Sequence, residues 1–448
     1  MTTNEAPAVA TVVGGGPAGL MAAEVLAAAG MRVTVFEHMA SVGRKLLLAG
    51  RGGLNLTHTE PLDDLVARYG SGADPIVAAV RAFDPGQLRA WCAGLGEPTV
   101  VGSSGRVFPR SFRATPLLRA WLRRLDDLGV TIETRARWLG WAPVDGRGRP
   151  DDRGSGPSTA PVGVDPRRSR FGRADGSVHE VVSDVTVFGL GGASWPRVGS
   201  DGGWVVPFDG AGVRVVPLRP ANCGVLVGWT DGFVDRFAGA AVKAVAIEVD
   251  GVRARGDVVV TDDGLEGGPV YARSATIRDT IASQGRCEVR VDLRPDLDVD
   301  RLVDRLARRR PKDSVSTSLR RTLGLSPVAI GLVREATANR VPTDVVELAA
   351  LLKAVPLVVE RTAGIERAIS SAGGIALDQI DASFMVRSLP GTFVAGEMLD
   401  WEAPTGGYLL QATFATAIAA AEGAIRWVED GRGGDHPGGH PACEGGAP

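Results

Sequence analysis

The hydrophobic pattern at the start of the chain switches period twice within forty residues. A strand-like run ends in Val12-Val13, an alanine-rich stretch with helical spacing follows, and Val33-Thr-Val-Phe-Glu37 returns to strand spacing. This predicts a β-α-β unit over about residues 8–40. Helical patterns recur near Leu62–Tyr69, Pro75–Leu95 and Ala114–Leu128, with Gly105–Pro109 as a turn before the last of these. Val130–Ile132 and Arg137–Trp141 alternate in strand fashion, and a strand over Val181–Leu190 ends in Gly191-Gly192. Between them, residues 144–177 are rich in Gly, Pro, Arg, Asp and Ser, which predicts a flexible hairpin insertion. Residues 1–212 are the first part of one domain. Residues 213–297 carry short β-rich runs (Val242–Val249, Val258–Thr261, Cys287–Leu293) and read as a second domain.

Residues 298–354 change to helical spacing. Leu302, Val303 and Leu306 share one face, as do Val328, Ala329, Leu332, Val333 and Ala336, and Pro311, Pro327 and Pro342 separate the helices. The arginines of this insert, Arg305 and Arg308–Arg310, read as a solvated helix face. Residues 355–366 return to the β-rich domain and 367–430 to the first one, closing with a glycine turn and an apolar helix to about Ala421. Residues 431–448 form a polar Gly/Pro/His tail read as disordered.

The first turn carries chemistry. In Val12-Val13-Gly14-Gly15-Gly16-Pro17-Ala18-Gly19, Gly14 permits a tight turn, Gly16 lets backbone approach a pyrophosphate, and Gly19 brings helix and strand together. Pro17 suits the first helical turn, where a missing N–H costs little. With Ala18 it opens a helix whose free N–H groups face phosphates. Glu37 follows Gly19 by 37 − 19 = 18 residues, where a carboxylate can hold a ribose and disfavours a 2′-phosphate.

A second strand, glycine turn and helix lie at Gly391-Thr-Phe-Val-Ala-Gly396-Glu397 and Pro404-Thr405-Gly406-Gly407-Tyr408. A nicotinamide protein usually needs one glycine turn per nucleotide; a flavin lying across the sheet needs a second. Glu397 can accept from a ribityl hydroxyl, and the helix start at Thr405–Tyr408 can point at the flavin N1–C2=O edge. A helix dipole there contributes about 1–2 kcal/mol, which raises a two-electron potential by roughly 20–45 mV.

Composition narrows the partners. Of 448 residues, 50 are Lys or Arg and 52 Asp or Glu, a net charge of −2 that gives no electrostatic footprint for nucleic acid or an anionic membrane. Cys92, Cys223, Cys287 and Cys443 are far apart and the histidines are scattered, so neither a redox dithiol nor a metal site is encoded. Isolated cysteines of this kind suit a reduced, cytoplasmic protein. No apolar run approaches a membrane span, and the N-terminus lacks a basic leader.

With both ends in view, the chain resembles the BaiN-like (YhiN-like) flavoproteins, a group that includes aminoacetone oxidases and bile-acid dienone reductases. The resemblance spans nearly the whole chain. Beyond Gly14–Gly19 it rests on Gly43-Arg44-Lys45, Gly105-Arg-Val-Phe-Pro109, Gly191-Gly192-Ala-Ser194-Trp195-Pro196 with Gly199-Ser200, Ser371-Ala-Gly373-Gly374, Ala395-Gly396-Glu397 and Pro404–Tyr408. It implies an α/β fold: a Rossmann-like FAD-binding domain of the glutathione-reductase type, interrupted by a β-barrel-like domain with a small helical insert. It implies non-covalent FAD, held by the glycines above with Glu37, Arg44, Lys45 and Glu397. Asn55 matches the family's asparagine, and Trp138 falls where the architecture supplies backbone contacts to adenine; a core tryptophan is the alternative there. One departure stands out. Many members read S-G-G-G-R-C-N, whereas this chain reads Ala49-Gly50-Arg51-Gly52-Gly53-Leu54-Asn55, so no thiol chemistry is available at Leu54 and neither named substrate carries over.

The implied reaction is hydride transfer between flavin N5 and a small organic substrate, as an NAD(P)H-linked reductase or as an oxidase passing electrons to oxygen. Arg51, Trp401 and Tyr408 are the catalytic candidates, with Trp195 and Glu402 as further neighbours of the ring; Arg51 can equally hold the pyrophosphate. A flavin-dependent RNA modifier or a redox-sensing binding protein is the reading from another class, opposed by the near-neutral charge and the lack of paired cysteines. The oligomeric state is not legible in the sequence.

Overall fold

The computed structural model describes residues 6–49, 52–144, 163–310 and 312–433. Arg51, most of the hairpin insertion and nearly all of the polar tail lie outside the described residues.

Five parallel strands form the central sheet, in the order Thr392–Val394, Val185–Phe188, Val9–Val13, Arg32–Glu37, Thr131–Thr134. A parallel sheet is covered on both faces, so its strands are continuous apolar runs, and Val185–Phe188 is buried at every position. Helix Pro17–Ala28 packs on the long helix Tyr408–Gly433. Both helices bury small residues in the common core, Ala22 and Ala23 on the first and Ala412 and Ala415 on the second. The second helix continues well past Ala421. Over Tyr408–Gly431 it is long and apolar enough to cross a membrane, yet more than half of that stretch is buried inside the fold.

The second domain is one seven-stranded antiparallel sheet with its own core. Its two end strands, Val355–Val359 and Arg361–Thr362, are consecutive in the chain and separated only by Glu360. The sheet must therefore curl to bring its edges together, which gives the barrel-like shape. The insert contains four helices: Val299–Ala307, Val315–Leu323, Pro327–Ala336 and Val345–Lys353. Leu302, Leu306, Leu332 and Val333 face the same core as the sheet strands, so the insert completes this domain rather than standing apart. Arg305 and Arg308–Arg310 are exposed.

The structure corrects four expectations. Arg106–Pro109 is a strand, paired with Thr57–His58 and Thr99–Val101, not a turn. Within the 144–177 segment, Val164–Arg173 is a ten-residue strand between Ala136–Pro143 and Val178–Val182. The single strand expected over Val181–Leu190 is two strands of different sheets, Val178–Val182 and Val185–Phe188. Pro75–Leu95 is two helices, Asp74–Ala82 and Pro85–Gly94. They break where Asp84 forms a capping box with Gln87, and Pro85 then occupies the first helical position.

Candidate functional site

A groove runs over the carboxyl ends of the central strands, walled by the first glycine turn, Glu37, Gly43–Leu46, Gly189–Gly191 and Glu397. Gly14 has φ +105°, and a Cβ there would sit 2.5 Å from the Gly189 carbonyl oxygen. A Cβ on Gly19 would sit 1.8 Å from the Gly14 carbonyl oxygen, so the helix could not reach its strand with any larger residue. Gly16 differs. It precedes the helix in extended geometry without a side-chain cap, and its absent Cβ meets only the Gly189 oxygen, at 3.9 Å. The turn is held from below by Glu37, which accepts from the Gly15 N–H at 2.9 Å and the Met39 N–H at 2.7 Å.

The far wall centres on Glu397. Its carboxylate accepts from Lys45 Nζ at 2.6 Å, from the Ser371 N–H at 2.8 Å and from the Gly192 N–H at 3.4 Å. Lys45 Nζ also donates to Ser194 Oγ at 2.6 Å, and Ser371 Oγ accepts from the Ala193 N–H at 2.9 Å. Four remote segments thus meet on one carboxylate. A Cβ on Gly192 would lie 2.3 Å from Ser371 Oγ, so this glycine serves the approach of Ser371.

Other sequence candidates divide. Gly43 donates its N–H to the Gly15 carbonyl at 2.8 Å and joins the two loops. Gly191, Arg44 and Trp401 line the groove. Gly396 is buried against Ala18 and accepts from the Trp401 indole at 2.9 Å, so it positions Trp401. Asn55 and Trp138 are not in the groove wall. Trp138 packs edge-on to Trp141 and Phe188 in an aromatic core, and its strand borders a smaller cavity that shares Gly14, His38, Leu190 and Gly199 with the groove. Leu54 is buried core. Trp195 is half-buried with φ +62° and does not line the groove.

Tyr408 needs correction. Thr405–Gly407 do precede a helix, but Gly407 serves a close backbone crossing: it has φ +102°, and a Cβ there would lie 2.5 Å from the Thr57 backbone, while a Cβ on Gly406 would lie 2.7 Å from the Tyr408 ring. The Tyr408 ring turns away from the groove onto His58, with ring centroids 5.7 Å apart and Arg68 above it. Burial pushes its hydroxyl well above the usual range. The groove is instead met by the residues that follow it, Leu409, Leu410 and Thr413.

Residues 8–152 and 162–423 match the family described as HI0933-like protein Rossmann domain. The chain belongs to that family. It is 25% identical over 434 residues, 92% of its own length and 98% of the relative's, to a 3-dehydro-bile acid delta(4,6)-reductase of Clostridium scindens. In fold it is similar to a flavocytochrome c3 fumarate reductase (TM-score 0.52, 16% identity, 94% of this chain and 78% of that one). It is likewise similar to a 3-ketosteroid delta1-dehydrogenase from Sterolibacterium denitrificans (TM-score 0.50, 12% identity, 93% and 99%). This HI0933-like protein is an FAD-dependent oxidoreductase with a Rossmann-type FAD-binding domain.

The groove residues fit such a cofactor. The Gly14–Gly19 cradle closes on itself wherever a Cβ would intrude, except at Gly16, the position that faces open space. Among the described residues, Arg44 Nε is a buried donor without a protein partner in the groove wall, suited to a phosphate oxygen, and Ser200 Oγ is buried and unpartnered in the same wall.

A second opening adjoins the groove at Trp401, which lines both. It is a cleft of about 830 Å³ between the two domains, walled by Arg68–Ala73, Tyr271–Thr276 and Asp400–Pro404 among others. Sequence reasoning missed it because its walls come from segments hundreds of residues apart. Glu402 is tied up here: Arg278, 7% exposed, donates to it at 2.7 and 3.0 Å and to the Pro220 carbonyl at 3.1 Å. Arg278 thereby clamps the inserted domain to the loop that carries Trp401. Burial pushes the Asp400 carboxyl upward, partly offset by Arg219 and Arg214. A carboxyl raised in the fold contributes stability that is complete below its ordinary value and fades as pH rises through the raised one. Asp400→Asn should therefore match the parent in urea unfolding near about pH 4 and exceed it increasingly toward about pH 8; a constant difference across that range would refute this.

Proposed function

We propose that the protein is an NAD(P)H-linked reductase that transfers a hydride between flavin N5 and a small organic substrate. The observation that carries this reading is the pairing of two glycine turns across one groove, the first held by Glu37 and the second by the Lys45–Glu397 pair. Bound FAD supplies the two-electron chemistry; the protein supplies binding, orientation and charge. In this reading Glu37 holds the adenosine ribose, the helix start at Gly16–Ala18 and Arg44 hold the pyrophosphate, and Lys45 with Glu397 sets the polarity of the wall nearer the inserted domain. Reduction of a conjugated carbonyl is favoured by the reductase relative, which acts on a 3-dehydro-bile acid. We place the protein in the reducing cytoplasm. Cys92, Cys223 and Cys287 are free and buried, and burial pushes the Cys92 thiol up to about 12 and that of Cys223 up to about 11, so both stay protonated and inert. Neither a nucleic acid nor a membrane is part of this function.

Anaerobic titration with NADH and NADPH, followed by the flavin absorption band, tests the proposal. Rapid bleaching by one of them is the expected result. A band that persists in excess NAD(P)H and bleaches with an amine or hydroxy substrate would replace the reductase by an oxidase. No band after added FAD would overturn the cofactor assignment itself.

A further inference from the structure

We propose that the interdomain cleft is the substrate chamber and that it selects organic acids, with Arg273 anchoring the substrate carboxylate. The proposal rests on the reading of the adjoining groove as the flavin site, since among the described residues the two openings share the wall formed by Trp401.

The class of substrate follows from which charges in the cleft are already used. Arg68 donates twice to Glu60, at 2.7 and 3.3 Å. Arg214 is paired with Asp378, and Arg219 lies 3.4 Å from Asp279. Glu402 is held by Arg278. Two ionisable groups remain. Arg273 is half-buried; its Nε donates to the Ala272 carbonyl at 2.9 Å, and no carboxylate among the described residues lies within ion-pairing distance of it. Asp400 makes no side-chain hydrogen bond among the described residues, and burial pushes its carboxyl above the usual carboxylate range.

A guanidinium stays charged in any setting and presents a planar fork that matches a carboxylate. No carboxylate among the described residues occupies that fork, so it is free to receive an incoming anion. A cationic substrate would instead meet an uncompensated arginine. Ser274, Ala275 and Thr276, the start of an eleven-residue helix, lie in the same wall and add to its positive potential. The remaining walls are mixed: Asn222, Tyr271 and Thr276 offer hydrogen bonds, while Trp401 and Ala403 offer apolar surface beside the flavin side. An unsaturated acid uses all of these, its carboxylate on Arg273 and its carbon skeleton against Trp401.

The test compares trans-cinnamate with cinnamyl alcohol, which shares the skeleton but carries no charge. Both are titrated calorimetrically into the flavin-loaded protein, whose absorption band is recorded in the same sample. Cinnamate is expected to bind and the alcohol to bind at least about tenfold more weakly. Arg273→Gln should erase that preference, with an unchanged flavin band and melting temperature. Arg273→Lys should restore part of it, and Arg308→Gln, on an exposed helix end, should change nothing. Raising salt from about 0.02 to about 0.5 M should weaken cinnamate and spare the alcohol. Equal binding of the two compounds, or a charge preference that survives Arg273→Gln, would overturn the proposal. A band that is present and bleached by NAD(P)H while cinnamate fails to bind would sink the anion chamber and leave the reductase standing; absence of the band would sink the reductase reading first.

Discussion

A Gly19→Ala protein should purify nearly colourless. The added methyl would sit 1.8 Å from the Gly14 carbonyl oxygen and 3.0 Å from its carbon, both backbone atoms that move only if the whole turn moves. Overpacking of this kind costs about 1–3 kcal/mol, and the displaced turn should weaken FAD by roughly a hundredfold. Gly16→Ala is the informative companion. Its methyl meets only the Gly189 oxygen, at 3.9 Å, so the protein should keep its thermal stability without flavin and still lose FAD affinity. Fluorescence titration with FAD and melting of the flavin-free proteins separate the two outcomes. If Gly16→Ala kept full affinity, the pyrophosphate would lie elsewhere than on this helix start.

The second large effect is expected at Glu397. Glu397→Gln removes the negative charge that Lys45, the Ser371 N–H and the Gly192 N–H share. Breaking a buried pair costs about 3–5 kcal/mol. Here Lys45 and Glu397 retain 27% and 16% of their side-chain exposure, so about 2 kcal/mol is the reasonable expectation. FAD retention should fall in parallel, because the wall that Ser371 and Gly192 form loses its common anchor. Lys45→Met combined with Glu397→Gln should cost less than the sum of the single changes in urea unfolding; strict additivity would mean that the pair does not organise the wall.

These two sites differ in how far the sequence alone could reveal them. The glycine turn and Glu37 are close neighbours along the chain, and their spacing carries the geometry of strand, turn and helix with it. The Lys45–Glu397–Ser371 junction joins residues more than three hundred positions apart, and Lys45 stood out only through the motif it shares with a family. Strand Val164–Arg173 looked like a flexible insertion because its sheet is largely solvent-exposed. Arg167, Arg168 and Arg173 are satisfied by Glu133, Asp165, Glu180 and Asp184 rather than by a core, which gives the strand the composition of a loop. Arg106–Pro109 read as a turn because its partners, Thr57–His58 and Thr99–Val101, are two and three residues long and leave almost no periodic trace. Tyr408 was misplaced for a third reason. A helix start points its N–H groups one way and its first side chain another, and local spacing does not say which of them meets the groove.

The ribbon that joins the two domains has a consequence of its own. The chain leaves the Rossmann domain along Val215–Ala221 and returns along Ser370–Ile375, antiparallel partners with Ala221 opposite Ser370. The inserted domain, residues 222–369, thus begins and ends about 5 Å apart. A unit whose two ends meet at one rung of a ladder can be removed, exchanged or enlarged without moving any strand of the sheet beneath it. The inserted wall of the cleft is therefore a cassette, and the Rossmann domain that carries the groove is its socket.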